Sequence, residues 1–114
     1  MGQNEQDIEQ IEISIEQAKV MIDNMKALDR LTDNKDFNKL FIEGYFKEEA
    51  SRLVLLRADH NFQSDEDQKQ LLASIDAIGR FKMYCNTIMV MGRRAERDLE
   101  ASEQTREELL AEAV

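Results

Sequence analysis

Proline and tryptophan are absent from this chain, glycine occurs four times in 114 residues, and cysteine and histidine occur once each. Without proline nothing forces a helix to stop or kink. With so little glycine, the tight turns of a hairpin-rich sheet lack their usual residues. Aromatics make up only 6% of the chain, so strands would have little of their preferred material. The sequence predicts an all-α protein. A single cysteine, Cys85, excludes an intramolecular disulfide. No apolar run approaches the roughly 20 residues that span a bilayer. The start, Met1-Gly2-Gln3-Asn4-Glu5, is polar and acidic and reads as no secretory signal. Positive charge is scarce too. Fifteen Lys and Arg face 24 Asp and Glu, for a net charge of −9. A surface that coats duplex DNA must neutralise phosphates, so the chain as a whole is not expected to do so. An acidic, self-repelling chain can instead meet a basic partner.

What is present is helical periodicity, and 42% apolar content to supply a modest core. From Ser64 onward one stripe steps by three and four: Leu71, Ile75, Ile78, Phe81, Cys85, Ile88, Gly92, Ala95 and Leu99. Its repeat is about 3.5 residues, the period of a seam that stays on one partner. The helix, about 65–110, would be roughly 70 Å long. Ser64 before Asp65-Glu66-Asp67 is a capping start with acids at the positive end of the dipole. A first helix is expected over about 4–31. Its seam is Ile8, Ile11, Ile15, Ala18, Ile22 and Met25, continued by Leu28 and Leu31, with Ile13, Val20 and Met21 widening it. A second is expected over about 36–58, after the breaker Thr32 to Asp36, where Asp33, Asn34 and Asp36 are all good N-caps. Leu53-Val54-Leu55-Leu56 covers nearly its whole circumference, as in a helix clasped between two others. Residues 100–114 are polar and expected to be a frayed or partner-ordered tail.

Short connections make neighbouring helices antiparallel. The expected architecture is a single domain, 1–114, an antiparallel three-helix bundle with a long, protruding, coiled-coil-like C-terminal helix. The third helix then overshoots the rest and leaves Gly92, Ala95 and Leu99 bare, a strip that pairing between subunits would cover. Ile88 joins that strip. Tyr45 and Phe46 are adjacent and point in different directions, so Phe46 or Phe41 is expected at a subunit contact. Gly44 is a candidate backbone partner for Gly79.

Candidate chemistry is sparse. His60 lies near Asp59, Asp65, Glu66 and Asp67, but the spacing matches no metal-ligand pattern. The carboxylate pairs Glu48-Glu49, Glu66-Asp67 and Glu107-Glu108 sit in solvated runs. There is no Glu-x-x-His pair, no glycine-rich phosphate loop and no Cys-x-x-Cys. Cys85 sits on the apolar stripe, where its thiol is harder to ionise. No catalytic residue, cofactor or metal site is expected. Arg80, Lys82, Arg93, Arg94 and Arg97 form the one basic concentration. With Glu96, Asp98 and Glu100 interleaved, they read either as a face of helical ion pairs or as a contact patch for nucleic acid or an acidic subunit.

One block resembles a family of small helical proteins of tailed bacteriophages, encoded among head and DNA-packaging genes. It comprises Arg30-Leu31, Asn34-Lys35-Asp36-Phe37, Gly44-Tyr45-Phe46-Lys47-Glu48-Glu49-Ala50, Arg52-Leu53-Val54, Ile75-Asp76-Ala77-Ile78-Gly79, Met91-Gly92-Arg93 and Ala95-Glu96. The resemblance spans about Leu28 to Glu100. It implies a phage origin, action in the infected host's cytoplasm or on the virion, and a role in assembly.

Three functions are therefore expected as rivals. The first is a non-enzymatic, self-associating assembly protein: a scaffold-like factor, packaging adaptor or minor head component, whose partners are itself and another phage structural protein. The second is a small terminase-like subunit that touches DNA. The third is an acidic inhibitor of a host defence or nucleic-acid enzyme.

Overall fold

The computed structural model describes residues 2–113. They are all-helical, with no strand among them. The first helix is Gln3–Thr32. A second helical segment is α over Lys35–Phe37, π over Asn38–Glu49 and α again over Ala50–Arg57. A short 3₁₀ turn, His60–Phe62, leads to the third helix, Asp65–Glu112. The third helix continues through Glu112, over the stretch expected to be a frayed or partner-ordered tail. Ser102, Glu103, Arg106 and Leu109 are half-buried along it. Val114 lies outside the described residues.

The connections show how a chain without proline turns. No residue other than Gly2 has positive φ. Side-chain amides and carboxylates do the work that glycine does elsewhere. Asn34 accepts from the Phe37 N–H at 3.0 Å and starts the second segment. The Asn38 amide donates back to the Thr32 carbonyl at 2.6 Å. At the second connection Asp59 accepts from the Asn61 N–H at 2.8 Å. Gln63 donates to the Arg57 and Asp59 carbonyls, and Gln68 to those of Arg57 and Phe62. Ser64 caps the third helix, accepting from the Asp67 N–H at 3.1 Å.

The chain divides into two compact units. One takes in the first helix to Leu28 and the third helix from Thr87. Its core joins Ala18, Ile22 and Met25 to Ala95, with Met21, Met89 and Leu99 packed against them. The pairing is antiparallel: Met25 meets Gly92, while Ser14 and Gln17 share a cleft with Asp98, Ala101 and Ser102. Gly92 sets the spacing. A β-carbon there would land on Cβ of Met25, 2.7 Å from its sulfur and 2.9 Å from its Cγ. Gly92 and Ala95 are buried and Leu99 half-buried. The expected bare strip is therefore covered within the chain, because the first helix runs along it. Ile15 is the most buried side chain, but Ile13 and Val20 remain exposed, so within this unit the first helix has one neighbour and not two.

The other unit is Asp29–Asn86. Leu53, Leu71 and Ile78 form its buried centre, ringed by Tyr45, Phe46, Ala50, Leu56 and Ile75. Here the π register matters. Bonding from i to i+5 widens the turn and rotates the chain less per residue. Tyr45 and Phe46 both reach Phe81, with ring centroids 6.3 and 5.5 Å away, and both are half-buried. Those contacts correct the expectation that one of them leaves the core. Phe41, stacked on Phe37 at 5.2 Å, is the exposed one. Gly44 fits the same register, since a β-carbon there would lie 2.9 Å from the Lys39 carbonyl oxygen one π turn back. It is no partner of Gly79, which faces open space. Val54 and Leu55 are exposed, so the second helix is not clasped on two sides within its unit.

Two glycines on one helix therefore predict opposite signs. Gly92→Ala must push the helices apart and should cost about 1–3 kcal/mol. Gly79→Ala meets nothing and should gain about 0.5–1 kcal/mol from helix propensity. Urea unfolding of both variants checks the pair.

Candidate functional site

The residues expected at a subunit interface do not form one exposed surface. Gly92 and Ala95 are buried, Ile88 and Leu99 half-buried, in the unit they share with the first helix. Phe46 belongs to the other unit, half-buried in the aromatic cluster with Tyr45 and Phe81. Gly92, Ala95 and Leu99 pack in the core shared with the first helix, and Phe46 packs on Tyr45 and Phe81.

The basic residues stand differently. Arg80, Lys82, Arg93, Arg94 and Arg97 are all exposed. Among the described residues none of them lies within ion-pair distance of a carboxylate; the pairs that form are Lys19–Glu16, Lys47–Glu43, Arg52–Glu49 and the His60–Asp59 approach. The expected lattice of helical ion pairs around them is therefore not made. Arg80 and Lys82 belong to one unit, and Arg93, Arg94 and Arg97 to the other.

Each unit carries an open cleft. In the first, of about 520 Å³, Ser14, Gln17 and Met21 face Met91, Arg94, Asp98 and Ser102. In the second, of about 470 Å³, the π segment supplies Leu40, Gly44, Tyr45 and Glu49, the α turn after it Arg52 and Leu53, and the third helix Ser74, Ala77 and Ile78. The Arg52 guanidinium forks onto Glu49, with Nε donating to Oε2 at 3.2 Å and the terminal nitrogen to Oε1. That hydrogen bond holds the Glu49 carboxyl below its ordinary pKa and the guanidinium above its own. The pair is solvent-exposed and orders the rim without a large energetic weight. This cleft was not legible as a site; the one sequence signal for it is Tyr45 beside an otherwise aliphatic pattern.

His60 is exposed in its 3₁₀ turn, its Nδ1 3.9 Å from Asp59 Oδ1. Among the described residues no group of three His, Cys, Asp or Glu side chains is arranged to hold a metal ion. No helix is long and apolar enough to cross a membrane. Cys85 is half-buried, not sealed in the core, and burial pushes its thiol pKa up.

Comparison with known proteins finds no family model, no curated protein and no solved structure that matches the chain.

The raised thiol pKa leaves less thiolate at neutral pH than a free cysteine has. Iodoacetamide should label native Cys85 more slowly than the urea-unfolded chain, and the gap should narrow as pH rises. Equal rates at pH 7 would contradict the burial.

Proposed function

We propose that this chain is a non-enzymatic, self-associating helical protein of a tailed bacteriophage, acting in virion assembly or DNA packaging. The fold that goes with it is an antiparallel arrangement of three helices in which the long C-terminal one packs against both others. One observation carries the reading. The described residues bury nine apolar side chains, while fifteen large apolar ones stay exposed. Scattered exposed apolars are ordinary on any surface, but here they outnumber the core. A chain of this kind gains stability by covering its own surface with another copy. The phage assignment comes from the resemblance of residues 28–100, and with it the infected host's cytoplasm or the virion as the place of action and another phage structural or packaging protein as a further partner.

A terminase-like reading keeps one observation in its favour: Arg80, Lys82, Arg93, Arg94 and Arg97 are exposed and have no carboxylate partner among the described residues. The net charge of −9 opposes it.

Light scattering across a micromolar concentration series should return a mass that rises above 13.3 kDa. A constant monomer mass would sink the self-association. Mobility shifts with duplex DNA separate the second reading: retardation that fades steeply with salt and disappears on charge reversal of Arg93 and Arg97 would favour it over the first.

A further inference from the structure

The unit that pairs the first helix with the end of the third carries thirteen acidic and six basic side chains. They are sorted by face. On the first helix Glu5, Glu9, Glu12 and Glu16 follow one another by steps of four, three and four residues. At about 100° per residue they share one side of that helix. All four are exposed, and among the described residues only Glu16 has a basic side chain within ion-pair distance, Lys19 at 3.7 Å. Ile13 stands one turn after Glu9 and Val20 one turn after Glu16, 46% and 60% exposed. The acidic row thus has an apolar flank.

The third helix supplies the opposite sign in the same unit. Three of its six basic side chains are Arg93, Arg94 and Arg97. They are exposed and lie within about 100° of arc, with Val90 of the preceding turn, 41% exposed, at the centre of that arc. Rows on two helices laid side by side have the same pitch, so the step from Arg93 to Arg97 matches the steps from Glu5 to Glu9 and from Glu12 to Glu16. Duplex DNA would be drawn to three arginines and repelled by thirteen carboxylates of the same unit. A basic partner would fit the first helix and be repelled by the third. A second copy brings both faces at once. In a two-fold pair each acidic row meets the other copy's arginines, so the contact forms twice. Two such units repel as wholes, and complementary rows then decide where they meet.

We propose that the face of the third helix bearing Arg93, Arg94 and Arg97 docks the acidic row of a second copy's first helix, Glu5 to Glu16. Val90, Ile13 and Val20 supply the apolar centre of that contact. This rests on the self-association proposed above and names its surface. Arg93, Arg97, Glu9 and Glu12 are the side chains to exchange, because all four are exposed and have no ion-pair partner among the described residues.

Sedimentation velocity over a concentration series, at low and high salt, provides the test, with far-UV circular dichroism as the control for folding. The double variant Arg93→Glu with Arg97→Glu, and the double variant Glu9→Lys with Glu12→Lys, should each weaken self-association by about tenfold or more. Mixed together they should associate as the parent does, because each then offers the charge that the other needs. Arg93→Gln with Arg97→Gln introduces no repulsion and should show a smaller loss in the same direction, which keeps the test valid where a Glu variant unfolds. Lys39→Glu with Lys69→Glu makes the same change of net charge at exposed positions of the Asp29–Asn86 unit and should leave association as in the parent. High salt should weaken the parent's association. Folded reversal variants that associate normally, a mixture that does not recover, an equal loss from the Lys39 and Lys69 changes, or indifference to salt would overturn this surface and leave self-association standing. Duplex retardation that is lost in the Arg93 and Arg97 variant while its association is unchanged would give the face to nucleic acid instead. A parent chain that stays monomeric throughout would remove both the surface and the self-association.

Discussion

A straight helix can bury only one stripe, and the third helix, 48 residues long, offers its stripe to two neighbours in turn. Leu71 and Ile78 are covered in the unit that contains the second helix; Gly92 and Ala95 are covered in the unit that contains the first. Each unit is therefore a pair of helices with one shared seam. That explains both the good burial along the seam and the poor burial everywhere else. A pair has no third helix to cover its flanks, so Val20, Leu55 and Met83 remain in solvent. The same constraint makes small residues valuable at the contact. Gly92 and Ala95 let the first helix approach closely, and the gain in packing offsets the helix propensity that a mid-helix glycine costs.

The π segment is the one place where this economy is broken. Over Asn38–Glu49 the segment is π-helical, and its adjacent Tyr45 and Phe46 both pack on Phe81. π turns are uncommon and recur at functional sites. Here the segment lines an open cleft with Leu40, Gly44 and Tyr45, with Gly44 clearing the Lys39 carbonyl and Glu49–Arg52 at the rim.

Periodicity made a good part of this visible in advance. The seam positions Ile15, Ala18, Ile22, Met25, Leu71, Ile78, Gly92 and Ala95 are all buried. Ser64 and Asn34 cap where short polar side chains precede an apolar run. The helix bounds lie within two residues of those expected. What periodicity cannot supply is the identity of the neighbour. A stripe tells which face is covered, and helix lengths alone leave the strip at Gly92–Leu99 bare. The first helix is long enough to cover that strip, and it does. The π register was equally out of reach, because Asn38 to Glu49 carries ordinary helical spacing.

The candidate contact surface moves for the same reason. Small residues such as Gly92 and Ala95 suit any close helix crossing, whether inside a chain or between chains, so they cannot say which it is. Large exposed side chains beside a thin core carry different information. Leu53, Leu71 and Ile78 are the only side chains fully buried among the described residues of Asp29–Asn86. That is little apolar burial with which to offset the ordering of so many residues. Leu40, Phe81 and Tyr84 stay exposed beside that thin core. The exposed apolar side chains and the thin core are one property of the sequence, since side chains left outside cannot also fill the interior.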